Sequence, residues 1–291
     1  MEGSMEKDIL ARLAEVGEGY SKGQRRIASY ILENYDKAAF MTAEKLGRTV
    51  GVSESTVVRF ASDLGYDGYP DMRKAVQEMI RSRLTSVQRI EVAKQLLDEK
   101  NILKSVLVGD AERLQATLRE CDPASFDAAV DAIAGAQHVY ILGMRSSACL
   151  AGFLGYYLGL LMDNISLIHD QSSCELYEQL MRIHKGDVFV GISYPCYSTR
   201  SVKALRYAKS RGALAIGITD SDASPFAPLA DILLCAKSDM VSFLDSLVAP
   251  MSLLNALIVA LGAKNRDTVE DTFRDLEKIW ADYDVYARAK D

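Results

Sequence analysis

Two turns in the second half of the chain carry the residue types that hold an anion. Gly143-Met-Arg-Ser-Ser147 follows one apolar run and opens a helical segment, and Ser193-Tyr-Pro-Cys-Tyr-Ser-Thr199 follows another and opens the next. Hydroxyls and backbone N–H groups at a helix N-terminus sit in its partial positive charge, which favours phosphate. Taken singly, Ser147 or Ser198 reads first as a plain N-cap. Two such turns on neighbouring strands shift the balance toward a shared anion site built from Gly143, Ser146, Ser147, Ser193, Ser198 and Thr199. A dinucleotide site competes poorly, because only Gly143 of G-x-G-x-x-G is present and Arg145 stands where backbone must approach the pyrophosphate. His169-Asp170, after the second apolar run, falls at the same edge, whereas His138 and His184 precede their runs and fall at the opposite one. A lone histidine serves more often on a surface or in packing than on a ligand. A helical segment containing Ser242 to Ser246 is also placed to approach the site.

A second chemistry stands near the N-terminus. From Thr42 to Phe60 the spacing is that of a helix-turn-helix, with Leu46, Val50, Val52, Val57 and Ala61 as packed positions and Gly51 at the tight turn. If Val57, Ala61 and Leu64 face inward, Ser55, Thr56, Arg59 and Ser62 face outward. Hydroxyls near a helix start suit phosphates or base edges, and an arginine can take guanine O6 and N7 in a bidentate fork. Any capped amphipathic helix of a bundle would show a similar face, but turn, spacing and surface chemistry agree here.

The elements that position these residues fall into two classes. Residues 1–84 read as helices only: Ser21 with Gln24 forms a capping box before a helix over about 22–34, Thr42 caps one through Arg48, and Ser53 caps one to Leu64, stopped by Gly65. Residues 85–124 read as a helical linker, including Val87–Lys100 and Ala111–Cys121, with Pro123 opening a further helix. From residue 138 the period changes. Apolar runs at 139–142, 165–168, 188–192, 213–218 and 232–234 alternate with helical segments at 147–162, 173–183, 199–211 and 243–263. Such alternation predicts parallel strands joined by right-handed crossovers, an open three-layer α/β fold with a five-stranded sheet over residues 125–291.

Composition sets outer bounds. The chain has 291 residues, 49% hydrophobic and 25% charged, enough for two domains that each bury a core. No apolar run reaches a membrane span and the N-terminus lacks signal-peptide order, so the cytoplasm and no membrane partner are expected. The five cysteines are scattered and odd in number and are expected to be free thiols; no cysteine pair falls at zinc-ligand spacing with a histidine, and neither metal nor cofactor is expected. Net charge is −6, but residues 1–85 hold 13 basic and 13 acidic side chains against 21 and 27 in the remainder, so the acid belongs to the back of the chain.

The run from Gln24 to Tyr69, with Arg25-Arg-Ile-Ala-Ser-Tyr-Ile-Leu-Glu-Asn34, Val52-Ser-Glu-Ser-Thr-Val-Val-Arg-Phe60 and Leu64-Gly-Tyr-Asp-Gly-Tyr69, resembles the head of RpiR-like regulators. The resemblance implies a dimer-forming DNA-binding domain with Ser55, Thr56 and Arg59 on its recognition helix. The order of elements and the two serine turns resemble a SIS (sugar isomerase) domain over about 125–265, the usual back half of such regulators. That resemblance implies a sugar phosphate held at Gly143, Ser146 and Ser147 and at Ser193, Ser198 and Thr199. The commoner form of the second turn is S-x-S-G-x-T; here Pro195 replaces a hydroxyl and removes a donor.

Two functions are compatible with this order. One is a transcriptional regulator whose grip on double-stranded operator DNA is set by a phosphorylated sugar, working as a homodimer or larger assembly. The other is a sugar-phosphate isomerase with an accessory helical domain, which needs a positioned base between adjacent carbons; His169, Asp170 and Glu175 are the candidates. No acid/base pair is recognisable among them, and the DNA-reading head gives a binding-only site a purpose, so the regulator is preferred over the enzyme.

Overall fold

The computed structural model describes residues 9–17, 19–81, 87–90, 101–169, 172–239 and 244–286. The chain divides into two compact units, Met1–Val106 with Met240–Asp245, and Leu107–Asp239 with Ser246–Asp291.

The first unit is helical among its described residues: α1 (Ile9–Ala14), α2 (Lys22–Glu33), α3 (Tyr35–Ala38), α4 (Ala43–Val50), α5 (Glu54–Asp63) and α6 (Tyr69–Arg81). Local chemistry fixes where they start. Ser21 accepts the Gln24 amide while the Gln24 side chain accepts the Ser21 amide, and Thr42 and Ser53 accept the amides of Lys45 and Thr56. Gly51, at φ 70°, ends α4 in the left-handed conformation and lets α5 fold back on it. Ile27, Ile31, Leu46, Val57, Phe60, Ala61 and Met72 form the core, while Val50 and Val52, expected inside, are only half-buried. Tyr69 closes the unit by donating from its phenol to the Met41 carbonyl at 2.9 Å.

The second unit is a three-layer sandwich. After α7 (Ile102–Glu120) and α8 (Pro123–Ala134) come β1 (Val139–Gly143), α9 (Ser147–Leu161), β2 (Ile165–Leu167), α10 (Ser173–Leu180), β3 (Val188–Ile192), α11 (Thr199–Ser210), β4 (Leu214–Thr219), β5 (Ile232–Cys235), α12 (Val248–Lys264) and α13 (Arg266–Asp282). All strand pairs are parallel, in the order β2-β1-β3-β4-β5. Strand alternation sorts the core into two faces. Val139, Ile141, Val190, Ile192, Ile216 and Ile218 pack with residues of α8, α9 and α12, whereas Tyr140, Leu142, Phe189 and Ala215 pack with residues of α10 and α11. The chain leaves β1 for β2 on one side and later adds β3 on the other, so the helices following β1 and β3 cover opposite faces. The switch point of the sheet therefore lies between these two strands, the place where open α/β sheets bind ligands.

Three boundaries differ from the sequence expectation by more than two residues. The helix expected over 243–263 begins at Val248; Ser246 turns its hydroxyl to Asp110 at 2.6 Å, Leu244 and Asp245 are not helical, and residue 243 lies outside the described residues. The helix expected over 173–183 ends at Leu180, where the Ile183 amide closes a turn onto the Leu180 carbonyl. The linker helix expected over 111–121 runs from Ile102, and of the expected helix over 87–100 residues 91–100 lie outside the described residues. No single helix among the described residues is long and apolar enough to cross a membrane.

Candidate functional site

β1 and β3 end side by side, with Gly143 paired to Ile192. A Cβ on Gly143 would stand 2.3 Å from the Ser147 carbonyl oxygen and 2.9 Å from the Ala151 Cβ, so only glycine lets α9 close onto the end of its strand. The turn is tight: Arg145 takes φ 57°, and the amides of Ser147 and Ala148 return to the carbonyls of Met144 and Arg145 at 3.0 and 3.1 Å. These first amides are already engaged. What the turn offers outward is the Ser146 hydroxyl, exposed and making no cap bond, with Ser147 buried behind it.

The turn after β3 is built differently. Ser193 is buried and its amide bonds the Ile218 carbonyl at 3.0 Å, continuing the ladder past the strand. Pro195 is buried, and Cys196 takes a left-handed φ of 67° at the position where the S-x-S-G-x-T form has glycine. On its far side two side-chain bonds hold the loop. Tyr197 donates to Asp220 Oδ1 at 2.6 Å, and Ser198 donates to Met144 Sδ at 3.1 Å. Ser198 is the N-cap of α11, yet its side chain caps nothing, and Thr199 beyond it is exposed.

Asn34 and Asn265 also leave their helices without a side-chain cap, but among the serine, threonine and aspartate caps the contrast is informative. Ser21, Thr42, Ser53, Asp122 and Ser172 each accept a first-turn amide. Ser146 and Ser198, the serines at the ends of the two central strands, do not. Hydroxyls held away from their own helices at a sheet's switch point are available to a ligand.

In the helical unit the start of α5 carries a hydroxyl cluster. Ser53 Oγ lies 2.9 Å from Ser55 Oγ and 2.8 Å from Thr56 Oγ1, and Arg59 is exposed one turn further on with Ser62 beyond it. Thr56 is half-buried, and Phe60, absent from the expected packed set, is fully buried.

Residues 7–83 match the helix-turn-helix domain of the rpiR family, and residues 132–260 match the SIS domain. The sugar isomerase domain of an RpiR transcription factor from Sphaerobacter thermophilus is 30% identical, with a TM-score of 0.59, over 61% of this chain and 99% of that one. The chain belongs to the RpiR family of transcriptional regulators. The regulator HexR of Pseudomonas aeruginosa is 26% identical over 86% of this chain and 88% of its own. The Vibrio vulnificus NanR protein, solved in complex with ManNAc-6P, shares the fold with a TM-score of 0.56 and 23% identity over 96% of this chain and 100% of that one.

The remaining candidates of this RpiR-family chain occupy the edges expected of them. His169 follows β2, beside β1, with its amide and carbonyl both held by the Gln179 side chain at 3.0 and 2.9 Å and its ring exposed. His138 sits at the opposite edge, its Nε2 2.8 Å from Ser166 Oγ, and His184 pairs there with Asp187. Glu175 is exposed in the first turn of α10, while Asp170 and Ser242 lie outside the described residues. Sequence reasoning missed Met144, Tyr194, Tyr197 and Asp220. Asp220 directly follows β4, so the rule that sent attention to the residues after each strand could have found it. Its carboxylate is buried and also accepts the Thr219 hydroxyl at 3.1 Å. Tyr194 is buried beside it, and burial, followed by the charges of Asp220, Cys235 and Tyr197, pushes its phenol well above the usual tyrosine value.

Proposed function

We propose that this chain is a DNA-binding regulator whose operator affinity is set by a phosphorylated sugar bound where β1 and β3 end. The observation that carries the proposal is the pair of uncapped serines, Ser146 and Ser198, on loops joined through Met144. A phosphate there would take the Ser146, Ser198 and Thr199 hydroxyls and the first amides of α11, with Ser147, Ser193 and Gly143 shaping the turns behind them. His169 would stand at the sugar end. The structurally similar NanR protein, solved with ManNAc-6P, supports the ligand class.

The site is proposed to bind and not to convert. Among the described residues, His169 has an exposed ring and is held through its backbone, and Glu175 is exposed, so neither is seated as a positioned base; Asp170 lies outside the described residues. The head is proposed to read DNA through Ser55, Thr56 and Arg59 on α5. Since one such helix reads few bases, the chain is proposed to work as at least a homodimer on half-sites about 34 Å or a multiple apart. Residues 85–124 are proposed as the helical linker between the DNA-binding domain, 1–84, and the sugar-phosphate domain, 125–291.

A thermal-shift screen against a panel of sugar phosphates tests this directly, since a ligand that prefers the folded state raises the unfolding midpoint. One member should raise it at submillimolar concentration, remain unconverted, and change the affinity for a duplex selected by the protein from random sequence. The unphosphorylated sugar should do neither. Turnover of the sugar phosphate would instead favour an isomerase.

A further inference from the structure

Three contacts lay the start of α2 across the recognition helix. Gly23 packs so closely that a Cβ on it would stand 3.2 Å from Val52 Cγ1 and 3.7 Å from Thr56 Cγ2. Gln24 Nε2 donates to Asp63 Oδ2 at 2.5 Å, near the far end of α5, and Arg26 Nη2 donates to the Gly51 carbonyl at 3.2 Å, in the turn before it. The buried side of α2 is fixed by Ile27, Ala28 and Ile31, which leaves Lys22 and Arg26, one turn apart, exposed on the strip beside α5. Among the described residues no carboxylate is ion-paired with Lys22 or Arg26: Glu44 is paired with Arg48, Asp63 accepts the neutral Gln24 amide and keeps its charge near the far end of α5, and Glu54 stands at its start.

We propose that α2 is a second DNA-contacting element, with Lys22 and Arg26 on phosphates that flank the bases read by α5. The inference rests on the DNA-reading function proposed above and adds to it a helix outside the helix-turn-helix pair. Arg26 has five N–H donors, so its bond to the Gly51 carbonyl leaves others to reach a phosphate and ties that interaction to the turn which aims α5. Lys22 acts as a point charge on a flexible stem. Both interactions are indifferent to sequence; they position the recognition helix without reading bases.

The test compares full-length wild type with Lys22→Ala, Arg26→Ala, Arg26→Lys and Arg59→Ala on two duplexes, one selected by the wild type from random sequence and one scrambled. Affinities are measured across a salt series. Removing the charge that neutralises one phosphate should lower the slope of log affinity against log salt by about 0.9. Lys22→Ala and Arg26→Ala should therefore weaken both duplexes by similar factors, flatten the slope by about one unit each and leave base preference unchanged. Arg26→Lys, which keeps the charge, should retain the slope even if loss of the Gly51 bond lowers the melting temperature. Unchanged slopes and affinities in both alanine variants, alongside a base preference lost in Arg59→Ala, would take α2 off the DNA while leaving the recognition helix on it. If the wild type selects no sequence and binds neither duplex, the DNA-reading function fails and α2's role with it.

Discussion

The Ser198 hydroxyl donates to the Met144 sulfur at 3.1 Å, joining the loop after β3 to the loop after β1 across the switch point of the sheet. A thioether is a weak acceptor, and a phosphate oxygen is a strong, charged one. The hydroxyl should therefore exchange Met144 for phosphate when a sugar phosphate binds. Hydrogen bonds to charged groups contribute about 1.5–3 kcal/mol, so Ser198→Ala should weaken a sugar phosphate by about tenfold or more. Met144→Leu conserves volume and removes only the weak acceptor, and should change affinity by less than a few-fold. Calorimetric titration of both variants checks the pair; equal losses would give Met144 a direct part in binding.

The two turns should respond oppositely to a change in Cβ content. Cys196 is exposed and left-handed at φ 67°, a conformation that costs a non-glycine residue about 1–2 kcal/mol. Cys196→Gly removes that strain against the extra entropy of an unfolded glycine, about 0.5–1 kcal/mol, so the melting temperature should hold or rise slightly. Gly143→Ala forces a Cβ into the backbone of Ser147 and should cost about 1–3 kcal/mol, lowering the melting temperature by several degrees. Thermal unfolding of the two variants decides the matter, and a stabilised Gly143→Ala would contradict the close approach.

Thiol reactivity gives an independent view of the same loop. Burial, followed by the charges of Asp222 and Asp220, pushes the Cys235 thiol up to about 11, so at pH 8 about one in a thousand is thiolate. Iodoacetamide followed by mass spectrometry should label Cys235 far more slowly than the exposed Cys149, Cys174 and Cys196. A sugar phosphate at the proposed site should slow labelling of Cys196 and of Cys149, whose thiol donates to the Ser146 carbonyl at 2.8 Å, and leave Cys174 and Cys235 unchanged. Uniform protection of all four would indicate general tightening of the domain.

Much of this architecture was legible because local signals and periods agreed. Ser21, Thr42 and Ser53 announced three helix starts, and the apolar runs placed all five strands within a residue or two. Beyond the expected adjacency of the first and third strands, the strand order was not legible, because nothing local in β2 says on which side of β1 it pairs; the switch point emerged only with the sheet. The site was legible in its hydroxyls but not in what they do. An N-cap serine that caps and one that does not share the same sequence signature, and Ser198 is separated from Ser53 only by Met144, 54 residues away in the chain. The bond from Tyr197 to Asp220 joins two loops in the same way, so neither residue stood out. Phe60 was missed because the helix-turn-helix template draws attention to small packed positions, whereas the head needs one large ring, which meets Tyr20 edge-on at a centroid distance of 6.2 Å.

The strictest test joins ligand to DNA. A ligand moves an equilibrium between two states only by as much as it prefers one of them, and coupling between sites is typically about 1–3 kcal/mol, a 5- to 150-fold change in affinity. If a sugar phosphate acts through the loops after β1 and β3, replacing Ser147 and Ser198 together with alanine should remove that change while leaving ligand-free DNA affinity within a few-fold of wild type. The two serines differ in kind. Ser198 is half-buried and would touch the phosphate, whereas Ser147 is buried behind Ser146 and would hold the turn in shape. Ser198→Ala alone should therefore weaken the ligand yet preserve the full DNA response at saturation, since binding is reduced and coupling is not. Ser147→Ala alone should reduce the response even at saturation, because the turn that must transmit the ligand's preference has been loosened. Binding isotherms on a selected duplex, with and without saturating sugar phosphate, separate these outcomes. A double variant that binds the ligand and responds as the wild type does would move the effector site away from both turns.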